Sequence, residues 1–361
     1  MKGERKKKVP YYCFIVSLFI SQLIAYGARL TYLEPFQALL KVFSLAMLLA
    51  AIILPLFSKK IKGILILKII ALALLGCFSL EKNGSTVIAN MVLFLIASRA
   101  FDLKAILRKD LVIKTIILGI IVISWLFGLT TSQFFFRNGI IRQNFGFYHP
   151  NNLAMFLVIF IMELSIVSVK VKKHLLLIAI ISALLIKSIT DSNTASILLP
   201  LFASIHKILN KIENKKIIPY INVALYIGLI VISFYATKNY AYGNFYWKID
   251  EFLSGRIWIQ TGYFKKYSLS LFGNVIDFDR TLDNFYIRTA LSGGILCLVF
   301  YAIIIYLQSA KAIRDNNYGS IIISALITIL LYGLSENLIF YPAYTVLWLS
   351  TSAKLDREKI E

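Results

Sequence analysis

Residues 36–57 read FQALLKVFSLAMLLAAIILPLF, a run whose only charge is Lys41. A helix needs about 20 such residues to cross the hydrocarbon core of a bilayer. Working outward, eleven further apolar runs recur near 10–28, 62–80, 85–101, 111–129, 149–169, 174–190, 193–209, 217–236, 285–308, 319–335 and 337–353. Those at 85–101, 174–190, 193–209, 319–335 and 337–353 are short, which leaves ten or eleven spans as alternatives to twelve. Hydrophobic residues make up 59% of the 361, against ~45–50% in soluble domains, and charged residues only 16%; mean hydropathy is +0.76. A soluble protein this apolar could not cover its surface. The composition excludes a cytosolic enzyme, a disordered chain and a secreted disulfide scaffold. It predicts an all-α integral membrane protein, a single polytopic domain over residues 1–361 of about twelve transmembrane helices.

The charge pattern orients the chain. The net charge is +21, and with the N-terminus inside, 24 of the 39 Lys/Arg fall on the inner segments against 12 on the outer ones. Every second loop is basic, as the positive-inside rule requires, so the basic excess is an orientation signal and not a nucleic-acid footprint. The expected placement is the cell membrane, multi-pass, with both termini cytoplasmic. The run at 10–28 is long enough to span and has no small-residue cleavage site after it, so it reads as a retained first span. Cys13, Cys77 and Cys297 each sit inside an apolar run, without metal-like spacing.

Two outer loops are long, residues 130–148 and 237–284. Long ordered loops are where function concentrates. The first carries FFFRNGIIRQNFGFYHPNN, residues 134–152, with Arg137 and Arg142 among aromatics. Guanidinium groups bind phosphate oxygens through paired, charge-assisted hydrogen bonds, or they snorkel to lipid headgroups. Phe145 to Tyr148 reads as a turn or re-entrant segment. His149 is either a general acid or base, or a cap for the helix that Pro150 and the following asparagines open.

In the second loop, FLSGRIWIQTGYFKKY (252–267) predicts a helix starting near Ser254, with Ile257, Thr261 and Phe264 on one side, lying on the membrane surface. Arg256 then falls in its first turn, where the helix dipole disfavours a cation, so an anionic partner is expected: a lipid, a ligand or a nearby Asp. The loop ends with Asp277, Asp279, Asp283, Asn284, Tyr286 and Arg288 crowded before the next span. The three aspartates lack EF-hand spacing and have Arg280 and Arg288 to neutralise them, so no metal is expected. Carboxylates and amides beside aromatic rings are also what sugar recognition needs. Glu336 lies between two apolar runs near the outer surface, either in the chemistry or paired with an external arginine. Lys41 and Lys114 are near enough to span ends to snorkel, and Lys68 and Glu163 come out at similar depth, as a structural pair. No P-loop, GxGxxG, HExxH, GxSxG or paired CxxC occurs, so nucleotide-driven chemistry and zinc hydrolysis are unsupported.

In order along the chain, NFGFYHPNNLA (144–154), FLSGRIWIQ (252–260), LFGN (271–274) and DNFYIRTALSGGIL (283–296) resemble the elements of the O-antigen, capsule and exopolysaccharide repeat-unit polymerases of the Wzy type, within the O-antigen polymerase/ligase superfamily. The resemblance covers roughly residues 130–342. It implies an all-helical fold similar to other membrane glycosyltransferases that act on lipid-linked sugars, and an activity without cofactor or metal. The reaction implied is polymerisation of undecaprenyl-pyrophosphate-linked oligosaccharide repeats at the outer face. The partners implied are that lipid-linked oligosaccharide, the membrane, and the flippase and chain-length regulator of the same pathway. The residues matching the motifs are Arg142, His149, Asn151, Arg256, Asp283, Asn284 and Tyr286. Arg142 and Arg256, with Arg137 or Arg288, would steady the departing pyrophosphate; Glu336, Asp283 and His149 are candidates for the base. Asn144, Asn151, Asn284, Tyr286 and Arg288, with Arg137, complete a substrate-binding set. An O-antigen ligase-like transferase is the first alternative, but such enzymes carry a histidine in the large external loop, and residues 237–284 have none. A flippase or other transporter is the second, and the spans carry few polar residues to line a path.

Overall fold

The computed structural model describes residues 2–56, 86–131, 134–137, 139–253, 255–277, 281–315 and 318–354. It is 75% helical. Among the described residues five helical stretches are long and apolar enough to cross a membrane: Lys8–Tyr26, Thr31–Pro55, Pro150–Val167, Ile218–Lys238 and Phe285–Ala312. The all-α, membrane-type architecture stands, with five such helices rather than twelve.

The remaining runs fall short for separate reasons. The run at 62–80, with Lys68 and Cys77, lies outside the described residues. Those at 85–101, 174–190 and 319–335 form helices of 13, 16 and 14 residues, and the run at 193–209 lies in a 19-residue helix, Asn193–Lys211, whose Asn193, His206, Lys207 and Asn210 leave it too polar for the membrane-length set. The run at 111–129 belongs to a helix that begins at Leu103, because the Asp102 carboxylate caps the Ala105 N–H at 2.8 Å. That helix therefore takes in Lys104, Arg108, Lys109, Asp110 and Lys114. The expected span at 337–353 is no α-helix: it makes two 3-10 turns, Leu338–Phe340 and Val346–Thr351, with Pro342 between them. Its apolar character comes from burial in protein, since Val346, Leu347, Trp348 and Leu349 are all buried.

The described chain divides into two compact units. The first unit draws on residues before 64, on Leu93–Lys211 and on residues from Pro342 onward. Here α1 (Lys2–Tyr26) packs along α2 (Gln37–Leu56), and Ser44 Oγ meets Ser17 Oγ at 3.1 Å and Ser21 Oγ at 2.9 Å. Such small hydroxylated residues let apolar helices approach closely. α3 (Thr86–Ser98) contributes its part from Leu93, and α4 (Leu103–Leu126) packs on α1, on α5 (Pro150–Val167) and on the turn Val346–Thr351. Between α4 and α5 the first loop is an antiparallel hairpin, β1 (Phe134–Arg137) with β2 (Ile140–Gln143), paired Phe135 to Arg142. Then come a short α6 (Val169–Lys173), α7 (Leu175–Thr190) and α8 (Asn193–Lys211), the last two packed together. Tyr26 is the aromatic hub, edge-on to Phe156 at 4.9 Å and Tyr344 at 5.0 Å.

The second unit holds α9 (Ile218–Lys238), α10 (Phe245–Phe252), α11 (Arg256–Lys266), α12 (Phe285–Arg288), a π turn at Thr289–Gly293, α13 (Gly294–Ala312) and α14 (Gly319–Tyr332). α9 packs against α11, α12, α13 and α14. α11 is the helix expected in the second loop, and Ile257 and Thr261 are its buried side. That side is covered by protein and not by lipid: Phe264 meets Phe234 of α9 at 5.5 Å, and Thr261 Oγ1 donates to Thr237 O at 3.1 Å. The LFGN and SGG motifs interlock. Asn274 N donates to Leu291 O at 2.9 Å, and Ile295 N to Ser270 O at 3.1 Å.

Candidate functional site

Three segments far apart in sequence converge in the second unit on Arg256, the first residue of α11. Its Nη2 donates to Glu336 Oε1 at 3.2 Å, and its Nε lies 3.5 Å from Asp283 Oδ2. The anion that Arg256 requires is therefore supplied by the protein's own carboxylates, and the pairing with Glu336 is the alternative reading of that residue. Arg256 is placed by Asp250, whose carboxylate caps the Ile257 N–H at 2.6 Å and the Trp258 N–H at 3.0 Å. Asp283 and Glu336 are placed by their neighbours: Asn337 Nδ2 donates to Leu282 O at 2.7 Å, and Phe285 N donates to Gly333 O at 2.8 Å.

The two carboxylates differ in setting. The Glu336 side chain is 7% exposed and that of Asp283 26%. Burial raises the Asp283 carboxyl above the usual aspartate range, against the opposing pull of Arg256 and Arg288. Arg288 also hydrogen-bonds Tyr341. Among the described residues Arg256 and Arg288 face Asp283 and Glu336, two positive groups beside two carboxylates.

Two polar atoms here are buried without a hydrogen-bond partner among the described residues, Tyr332 Oη and Asn337 Oδ1. Tyr332 is wholly buried, and the charges of Glu336 and Arg256 both act on its hydroxyl. An unsatisfied buried polar group costs about 1–3 kcal/mol, so it is retained for a reason. Neither residue, nor Asp250, stands out in the sequence. Tyr332 sits one helical turn before Glu336, a spacing that could have flagged it.

Asn284 caps α12 through Ile287 N at 3.0 Å and donates to Ser233 Oγ at 3.1 Å. Tyr286 is a core residue whose hydroxyl donates to Leu330 O at 2.5 Å. These two expected substrate ligands are engaged in holding the segment behind Asp283. Asp277 is described, while Ser254, Asp279 and Arg280 lie outside the described residues.

The first-loop residues form a separate group in the first unit. Arg142 is 6% exposed; its Nε donates to Thr190 O at 2.8 Å and its Nη2 to Asn151 Oδ1 at 2.7 Å. It thereby locks β2 to the end of α7. His149 is the N-cap of α5, its Nδ1 accepting from Asn151 N at 3.1 Å, and its ring packs edge-on to Phe135. This is the capping alternative. Asn144 Nδ2 donates to Phe147 O at 2.6 Å across a turn in which Phe145 and Gly146 have φ of 47° and 83°. Arg137 contributes its backbone to the hairpin, and its side chain lies outside the described set.

The first unit also holds a buried charged cluster around Lys114; the partner expected for Glu163, Lys68, lies outside the described residues. Lys114 does not snorkel. It pairs with Asp110 one turn earlier and with Glu163 at 2.6 Å, and all three side chains are fully buried. Gln22 Nε2 donates to Asp110 Oδ1 at 2.5 Å, and Thr345 Oγ1 to Glu163 Oε1 at 3.3 Å. No protein-family model, curated protein or solved structure matches the chain.

Proposed function

We propose that this chain is a membrane glycosyltransferase of the repeat-unit polymerase type, joining lipid-pyrophosphate-linked oligosaccharides at the outer face of the cell membrane. The observation that carries the reading is the Arg256–Asp283–Glu336 network, with the buried Tyr332 hydroxyl, unpartnered among the described residues, beside it. An acceptor hydroxyl must lose its proton as it attacks the anomeric carbon of the donor. Asp283 suits that task, being the more exposed carboxylate and the one whose proton affinity burial raises. Glu336 holds the guanidinium, and the guanidinium holds Asp283. As the new C–O bond forms, the bond to the pyrophosphate breaks and its electron pair leaves with the lipid pyrophosphate. The charge asymmetry of the loops supports a multi-pass placement with the basic N- and C-terminal segments in the cytoplasm.

The test is reconstitution with lipid-linked repeat units and sizing of the products. A ladder is expected from the wild type, none from Asp283→Asn, and a strongly reduced one from Arg256→Lys, whose point charge cannot hold two carboxylates as a planar fork does. Folding of each variant is checked by its melting midpoint. A full ladder from Asp283→Asn overturns the assignment of the base. A wild type that moves one intact glycan onto another acceptor, without a ladder, overturns the polymerase in favour of the ligase-like reading.

A further inference from the structure

The second unit holds a cleft of about 690 Å³ walled by Tyr240, Tyr242, Trp247, Trp258, Lys265 and Lys266, within the ~300–1,000 Å³ range of small-molecule sites. Its rings come from three stretches: the turn after α9, α10 and α11. They are not core residues, for Tyr242 is 88% exposed and Trp258 51%. Tyr242 and Trp247 pack at 5.1 Å with their planes tilted by 57°, so the two faces make a corner. A saccharide ring presents C–H faces that stack on aromatic rings and hydroxyls that need donors and acceptors. The two lysines close α11, where cations suit the helix dipole, and line the cleft, with the Lys266 ammonium 5.4 Å from the centre of the Tyr267 ring.

α11 runs from Arg256 to Lys266, so the helix that presents Arg256 to Asp283 and Glu336 also walls the cleft. The Tyr240 hydroxyl bonds the Asp250 carboxylate, which caps the same helix at Ile257 and Trp258. Gly262 is also part of the lining, and a Cβ built there meets nothing within 4 Å. The glycine leaves open space in the wall of the cleft.

We propose that this cleft is a saccharide-binding groove for an acidic oligosaccharide, holding the glycan whose end reacts at Arg256; the identity of the glycan rests on the polymerase reading. The lysines select for carboxylate or phosphate substituents, and the rings grip sugar faces without regard to sequence.

The test uses the full chain in liposomes. The probe is the oligosaccharide repeat freed from its lipid carrier by mild acid, its binding followed by equilibrium dialysis. Saturable binding is expected in the wild type, lost in Trp258→Ala. In Gly262→Leu affinity should fall about tenfold or more, the scale of one stacked ring. Leucine is the better helix former, so this variant should melt no lower than the wild type. Both variants should give shorter polymer. Equal affinity in wild type and Gly262→Leu overturns the groove. So does quenching of Trp258 by brominated phosphatidylcholine without any response to oligosaccharide, which would make the cleft a headgroup anchor. Binding by the wild type without any ladder overturns the polymerase and leaves the groove standing. A wild-type-length ladder from both variants overturns the groove and leaves the polymerase standing.

Discussion

Lys114 donates to Glu163 Oε2 at 2.6 Å, with both side chains wholly removed from solvent. The same ammonium serves Asp110, so one cation stands between two carboxylates in an apolar interior. Removing one partner from such a cluster leaves uncompensated buried charge. Lys114→Met is therefore expected to destabilise the protein by about 3–5 kcal/mol. Replacing all three together, Asp110→Asn, Lys114→Met and Glu163→Gln, should recover much of the loss because no charge is then stranded. Melting midpoints in detergent check both. A single variant as stable as the wild type would show that the cluster is wetter than its burial indicates.

Gly273 and Gly294 hold the LFGN loop against the start of α13. Both have positive φ, 87° and 75°. A Cβ on Gly273 would lie 2.2 Å from Ser292 O, and one on Gly294 would lie 2.4 Å from Leu271 O. Backbone atoms cannot step aside as a side chain can. Gly273→Ala should cost about 2–4 kcal/mol from left-handed strain plus the clash. Gly128→Ala, also at positive φ but with open space around it, should cost only the strain. The difference between the two melting midpoints measures the clash, and equal midpoints would refute the interlock.

How far the sequence reveals this molecule depends on what an apolar run reports. The runs at 36–57, 149–169, 217–236 and 285–308 became membrane-length helices because length and apolarity coincide there. The run at 337–353 is as apolar but lies within protein, and hydropathy does not separate burial by protein from exposure to lipid. The hairpin had a local signal that was passed over, Asn138-Gly139 between β-forming residues. At the site, Arg256, Asp283 and Glu336 were each legible as a charge that needed a reason. Each called for a partner of opposite charge, but which arginine meets which carboxylate was not legible, since it depends on Leu282 and Asn337 joining two segments that lie 55 residues apart. Lys114 shows the same limit: its spacing from Asp110 is readable on one helix, whereas Glu163 arrives from another.

Asp283 gives stability a pH dependence whose sign follows from its setting. Burial outweighs the attraction of Arg256 and Arg288, so the folded chain keeps this proton to a higher pH than the unfolded chain does. Between the ordinary aspartate value and the raised one, the folded state binds more protons, and stability falls as pH rises through that window. The contribution is fully present below the ordinary value and gone above the raised one. Asp283→Asn mimics the neutral acid and has no proton to lose there, so its stability should be flatter than the wild type's: the two curves run parallel below the ordinary aspartate value, and the wild type falls relative to the variant as pH rises through the raised one. Melting curves taken from acid to neutral pH decide it. Parallel curves would mean that Asp283 titrates alike in both states, and the base assigned to it would lose its raised proton affinity.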